Sequence, residues 1–108
     1  MILMSLRITP LPKKKNELIE AFRLQMNRIQ VLPGCIRCRL SQDTEENAIL
    51  FEEEWRTWQD LEKHIVSDRF CWILELMEQS YTIPQLSFTD LCKTRGIEYA
   101  LEIRKGKL

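Results

Sequence analysis

Apolar and polar positions follow two different periods along this chain, with prolines, glycine or short polar segments marking each change. Ile2 to Thr9 is a short apolar run bounded by Pro10 and Pro12, which predicts a buried first strand. Both prolines suit the exit from a strand and the entry to a helix. From about Lys13 to Val31 the apolar residues Leu18, Ile19, Phe22, Met26 and Ile29 recur at helical spacing, with Glu17, Glu20, Arg23 and Asn27 facing away. Pro33-Gly34 stops that helix and opens a turn. Cys35 to Gln42 then alternates, with Ile36, Cys38 and Leu40 on one face and Arg37 and Arg39 on the other.

Asp43 to Asn47 is polar and predicts a hairpin loop, so Ala48 to Trp55 becomes the partner strand. On that strand Ile49, Phe51, Glu53 and Trp55 share a face, and Glu53 is a polar intrusion beside the tryptophan. Thr57 and Asp60 resemble a capping box for a helix whose buried stripe is Trp58, Leu61 and Ile65. Ser67-Asp68 opens a second helical run with Phe70, Ile73, Leu74 and Met77 on its apolar face, and Pro84 breaks it. Gln85 to Cys92 alternates as a last strand. Past Gly96, the positions Ile97, Ala100, Leu101 and Arg104 predict a short terminal helix. The order β-α-β-β-α-(α)-β is that of a ferredoxin-like α+β domain, a split βαβ with a four-stranded antiparallel sheet covered on one face by helices. No internal repeat and no low-complexity segment interrupts it.

Composition narrows the function classes. The chain has 108 residues, the size of one domain, with 44% hydrophobic and 30% charged positions. Sixteen basic and sixteen acidic residues balance to zero net charge, which argues against nucleic acid as a partner. Lys13 to Lys15 is a basic cluster at a helix start and reads as a solvated face. No run of about 18 apolar residues is present, so no membrane span is expected. The first ten residues lack the charged leader of a signal peptide, which points to the cytoplasm and to reduced cysteines.

Several of these segments together resemble the antibiotic biosynthesis monooxygenase (ABM) domain, in its quinol-monooxygenase-like form. They are the element order, Pro33-Gly34-Cys35 before the second strand, Glu53-Glu54-Trp55 ending the third, and Leu61…His64…Ser67-Asp68-Arg69-Phe70. The resemblance implies an ABM-like ferredoxin-fold domain over residues 1–95 and an extension over 96–108. It implies a homodimer, a dimeric α+β barrel in which two chains pack together, and the apolar stripe of the extension suggests that it reaches the partner. Characterised members oxidise phenols or quinols with molecular oxygen and no cofactor, neither metal nor flavin. The substrate, once deprotonated, supplies the electrons, and the protein supplies an enclosed apolar pocket with a few polar groups.

His64 is the only histidine, at the border of a buried helical stripe, and imidazole exchanges protons near neutral pH. It is the candidate catalytic base; its structural alternative is a hydrogen-bonded histidine holding helix to sheet. Trp55 matches the family tryptophan after two acids and is a candidate to pave a pocket for an aromatic substrate, or a core anchor. Phe51, Trp58 and Trp72 extend the same argument as further substrate-binding candidates. Phe51 stands where phenol-oxidising members commonly carry asparagine, and Leu61 lies near the place of a tyrosine. Haem-degrading members use a first-strand asparagine, a helical tryptophan and an axial histidine. Their places here correspond to Ser5 or Leu6, His64 and Leu74, so no haem ligand is expected.

Cys35-x-x-Cys38 invites a metal or redox reading, but strand residues i and i+3 point to opposite faces, and no further ligands complete a zinc site. Structural cysteines are expected. Arg37 and Arg39 are expected to pair with Glu52 and Glu54 across the hairpin. The three acids 52–54 alternate faces and cannot converge on a cation. The function these observations favour is a cofactor-independent monooxygenase acting on a small aromatic or quinol-like molecule. The alternative is a non-catalytic dimeric small-ligand-binding or stress-response domain on the same scaffold.

Overall fold

The computed structural model describes residues 1–92 and 96–106. Four strands, β1 (Ile2–Ile8), β2 (Cys35–Asp43), β3 (Ala48–Trp55) and β4 (Gln85–Asp90), form one sheet in the order β2-β3-β1-β4. All three pairings are antiparallel. The helices are α1 (Lys15–Ile29), α2 (Trp58–Ile65), α3 (Asp68–Met77) and α4 (Ile97–Gly106), with a 3-10 turn at Pro12–Lys14 leading into α1. The expected ferredoxin-like α+β order is therefore the observed one. None of the described helices is long and apolar enough to cross a membrane. The expected boundary at 95/96 adjoins residues 93–95, which lie outside the described residues, as do 107 and 108 at the end of the expected extension.

The central strand shows why the sheet is one-sided. Along β1 the residues Ile2, Met4, Leu6 and Ile8 are buried, while Leu3, Ser5 and Arg7 between them are half-buried. Against that buried face pack Leu18, Ile19, Phe22 and Ile29 of α1, Leu61 of α2, and Phe70 and Ile73 of α3. Burial at about 25 cal/mol per Å² makes this alternation the main force holding the register. The opposite face is polar. There Arg37 grips Glu54 through two hydrogen bonds of 2.9 and 3.0 Å, as the alternating pattern leads one to expect. Arg39 faces Glu52 in the ladder. Glu52 and Glu54 lie on this open face and Glu53 on the buried one, so the three acids do diverge.

The turn between α1 and β2 depends on one glycine. Gly34 has φ +85°, and a Cβ there would come within 2.3 Å of the Asp60 carboxyl carbon. Thr57 caps α2 by accepting from the Asp60 amide at 3.1 Å, and its hydroxyl donates to the Asp60 carboxylate at 2.9 Å. The first turn of α2 thus rests directly on the glycine. Gly34→Ala is expected to cost about 1–3 kcal/mol through left-handed strain and the clash with Asp60. Urea unfolding measures it, and an unchanged midpoint would show that the turn can relax freely.

One detail departs from the simple alternation. The β2–β3 register runs Cys35 opposite Trp55 and then Arg37 opposite Glu54, so Ile36 is an extra residue in a bulge. Ile36 is exposed instead of sharing the buried side with Cys38 and Leu40. The extra residue also cancels the expected opposition of Cys35 and Cys38, whose sulfurs lie 3.8 Å apart.

Candidate active site

The C-terminal end of β3 and the last turn of α2 bring three side chains into a closed cluster. Glu53 faces the helices because of its odd place in the β3 alternation, and it is completely buried. The Trp55 indole Nε1–H donates to Glu53 Oε1 at 2.9 Å. His64 Nε2 lies 3.2 Å from the same oxygen and 3.3 Å from Oε2. Two donors thus satisfy a carboxylate that would otherwise be very costly to bury.

Sequence spacing places the histidine. Leu61 and His64 stand three apart on α2 and are the two buried residues of that helix. The imidazole stacks on Trp55 with ring centroids 4.9 Å apart and an interplanar angle of 27°, and Phe70 meets it edge-on at 5.5 Å. Two aromatic neighbours and one carboxylate therefore fix the ring orientation. Ser67 closes the helix end by donating its hydroxyl to the His64 carbonyl at 2.6 Å.

The hydrogen-bond network assigns the tautomer. Glu53 can only accept when ionised, so Nε2 carries a proton, and in the neutral ring Nδ1 keeps its lone pair. Nδ1 is buried and has no hydrogen-bond partner. One ring nitrogen is thus held by a carboxylate that orients the imidazole, and the other has no partner.

A cavity of about 250 Å³ adjoins this cluster. Trp55 and His64 line it, together with Leu32 and Pro33 from the turn before β2, Asp60 and Lys63 from α2, and Ser67 and Arg69 from the α2–α3 junction. A larger groove of about 430 Å³ runs between α1 and α3 and is lined by Leu24, Gln25, Trp72 and Glu75 among others. That groove contains neither imidazole nor thiol, so the smaller cavity is the better chemical site.

The candidates from the sequence therefore separate. His64 and Trp55 meet at one cavity. Phe51 is fully buried against Phe22 at 5.3 Å between centroids, inside the core. Trp58 is 43% exposed and donates to Asp90 at 3.3 Å, while Trp72 is 52% exposed on the α1–α3 groove. Sequence reasoning did not assign a role to Glu53, although a lone acid on an apolar strand face was the signal. It also passed over Lys63, Ser67 and Arg69 as cavity residues. Among the described residues no group of three or more His, Cys, Asp or Glu side chains could hold a metal ion.

Comparison with known proteins bears on the fold and the family. No curated protein matches the chain. The crystal structure of an antibiotic biosynthesis monooxygenase superposes with a TM-score of 0.73 at 16% identity, covering 83% of this chain and 97% of that one. A protein from Mycobacterium tuberculosis gives 0.76 at 14% identity, with 88% and 98% covered. A conserved protein from Methanosarcina mazei Go1 gives 0.73 at 22% identity, with 82% and 89% covered. These likenesses show the fold. The family model for antibiotic biosynthesis monooxygenase matches residues 1–71, which span β1 to the start of α3 and include Glu53, Trp55 and His64. The chain belongs to the antibiotic biosynthesis monooxygenase family.

Proposed function

We propose that the protein is a cofactor-independent monooxygenase that oxidises a small aromatic or quinol-like molecule with molecular oxygen. The observation that carries this reading is the buried, unpartnered His64 Nδ1 on a ring whose Nε2 is held by Glu53. A substrate hydroxyl in the cavity would give its proton to Nδ1 once a small movement of the cavity wall uncovers that buried atom. The resulting phenolate or quinolate is electron-rich enough to reduce oxygen, and Trp55 offers a flat apolar wall. Lys63 and Arg69 on the cavity lining favour the anion over the neutral form. At about 250 Å³ the space suits a molecule of one or two rings, below the roughly 300–1,000 Å³ of drug-sized sites.

The test is oxygen uptake by the wild-type protein over a panel of hydroquinones, naphthoquinols and phenols, corrected for autoxidation. Enzyme-dependent uptake with quinone formation is the expected result. Saturable binding under the same conditions with no uptake from any compound would support the second reading, a small-ligand-binding domain. That reading draws on Phe51 and Leu61, both fully buried and apolar.

The domain is proposed to act as a homodimer, with residues 1–95 as the ABM unit and 96–108 as an extension that covers the second chain. Support comes from α4, where Ile97, Leu101 and Ile103 are 67%, 57% and 48% exposed. Sedimentation at micromolar concentration should give a dimer, and a monomer would remove this part of the proposal.

A further inference from the structure

The bulge at Ile36 creates a second chemical feature, distinct from the His64 base. Because two residues, Cys35 and Ile36, occupy the place opposite Trp55, the next pairings shift by one and Cys38 falls opposite Glu53. Cys35 and Cys38 then both turn towards the helices, packed against the hydrophobic core, with their sulfurs 3.8 Å apart and hydrogen-bonded. An unbulged strand would have separated them to opposite faces. Both side chains remain partly accessible, whereas Cys71 and Cys92 are free and exposed elsewhere on the molecule.

We propose that Cys35 and Cys38 form a redox-active dithiol that exchanges with low-molecular-weight disulfides. The Cys35 thiolate attacks one sulfur of the disulfide R–S–S–R. A Cys35–S–S–R bond forms, the R–S–S–R bond breaks, and one R–S⁻ leaves and takes up a proton. Cys38 then loses its proton and attacks the Cys35 sulfur. The Cys35–Cys38 bond forms as the second R–S⁻ departs and is protonated. Two protein thiols are oxidised by two electrons in all, and one small disulfide is reduced to two thiols.

The surroundings divide the two roles. The hydrogen bond from Cys38 lowers the Cys35 thiol from its ordinary value, against burial and the Glu53 and Glu54 carboxylates, which act the other way. Donation of that same hydrogen bond raises Cys38, and burial and the neighbouring charges of Cys35 and Glu53 raise it further. The thiolate is the attacking species in such exchange, and Cys38 lies directly opposite the buried Glu53 carboxylate whereas Cys35 opens the strand at the bulge, so Cys35 is given the attacking role and Cys38 the resolving one. To close the sulfurs from 3.8 Å to the roughly 2.05 Å of a disulfide, the two side chains on this shared strand face have to rotate towards each other.

The experiment equilibrates the reduced full-length protein in glutathione buffers of increasing oxidised fraction, traps thiols by alkylation and maps them by mass spectrometry. The expected product is an intramolecular Cys35–Cys38 disulfide, seen as the loss of two hydrogen masses, while Cys71 and Cys92 stop at mixed disulfides or remain alkylated. Cys38→Ser should accumulate glutathione on Cys35, and Cys35→Ser should abolish the intramolecular product. Far-UV circular dichroism checks that both variants keep the fold. Since the wild-type result stands alone, a misfolded variant does not remove the test. The proposal is overturned if Cys35 and Cys38 both stay alkylable at every ratio, or if either oxidises only with another cysteine or another chain. It also fails if Cys38→Ser leaves Cys35 unmodified.

Discussion

Glu53→Ala is expected to destabilise the fold by about 3–5 kcal/mol, among the largest losses any single residue of this domain would produce. Glu53 is completely buried, and both of its oxygens serve donors that have no water to turn to. Its removal would strand the Trp55 indole N–H and the His64 Nε2–H in a cavity left by the lost side chain. Urea denaturation would show a lower midpoint with an unchanged slope. A loss below about 1 kcal/mol would mean that water reaches the cluster, and that Glu53 is not the anchor described above.

Glu53→Gln separates fold from chemistry. The amide keeps the size of the side chain and one acceptor, which Trp55 Nε1–H can still use. Its NH₂ group then faces His64 Nε2, and two donors cannot share that contact. That repulsion favours the tautomer in which Nε2 accepts and the proton sits on Nδ1, the proposed base, over the one that keeps Nε2–H on the amide oxygen 3.2 Å away. Stability should fall by less than about 1.5 kcal/mol, while oxygen uptake should fall by about 100-fold or more. Nitrogen-15 NMR of the histidine ring reports the tautomer directly, and wild-type uptake by a Glu53→Gln protein with the proton on Nδ1 would rule out the base assignment.

Much of the fold was legible in the sequence because burial imposes simple periods. The alternation through β1 and β3 and the Leu18–Phe22–Ile29 stripe of α1 are direct consequences of one apolar face per element. The capping residues at Thr57 and Asp60 could be read for the same local reason. The sequence was less informative where an outcome depends on a neighbouring strand. The Ile36 bulge is a property of the β2–β3 register, and nothing in residues 35–42 alone announces it. An undisturbed alternation therefore put the two cysteines on opposite faces when in fact their sulfurs touch. Gln25 was likewise not read as buried, since its place on the helix stripe is polar by type but 5% exposed in the fold.

The candidate site was half legible. His64 and Trp55 carry unusual side chains at recognisable spacings, and they do meet. Glu53 was visible only as an anomaly, because a carboxylate on a buried face has no meaning until its donors are known. Phe51 and Trp72 show the converse. Aromatic bulk marks the core, a groove and a pocket equally well, and only three-dimensional packing assigned Phe51 to the first and Trp72 to the second.

Oxygen uptake by wild type and His64→Ala, side by side on the quinol most readily consumed, tests the assignment of His64 as base. Uptake above the protein-free rate by wild type, falling by about 10²–10⁴-fold in His64→Ala, is the expected result. Equal rates in the two proteins, or no uptake by wild type above the protein-free control, would contradict it.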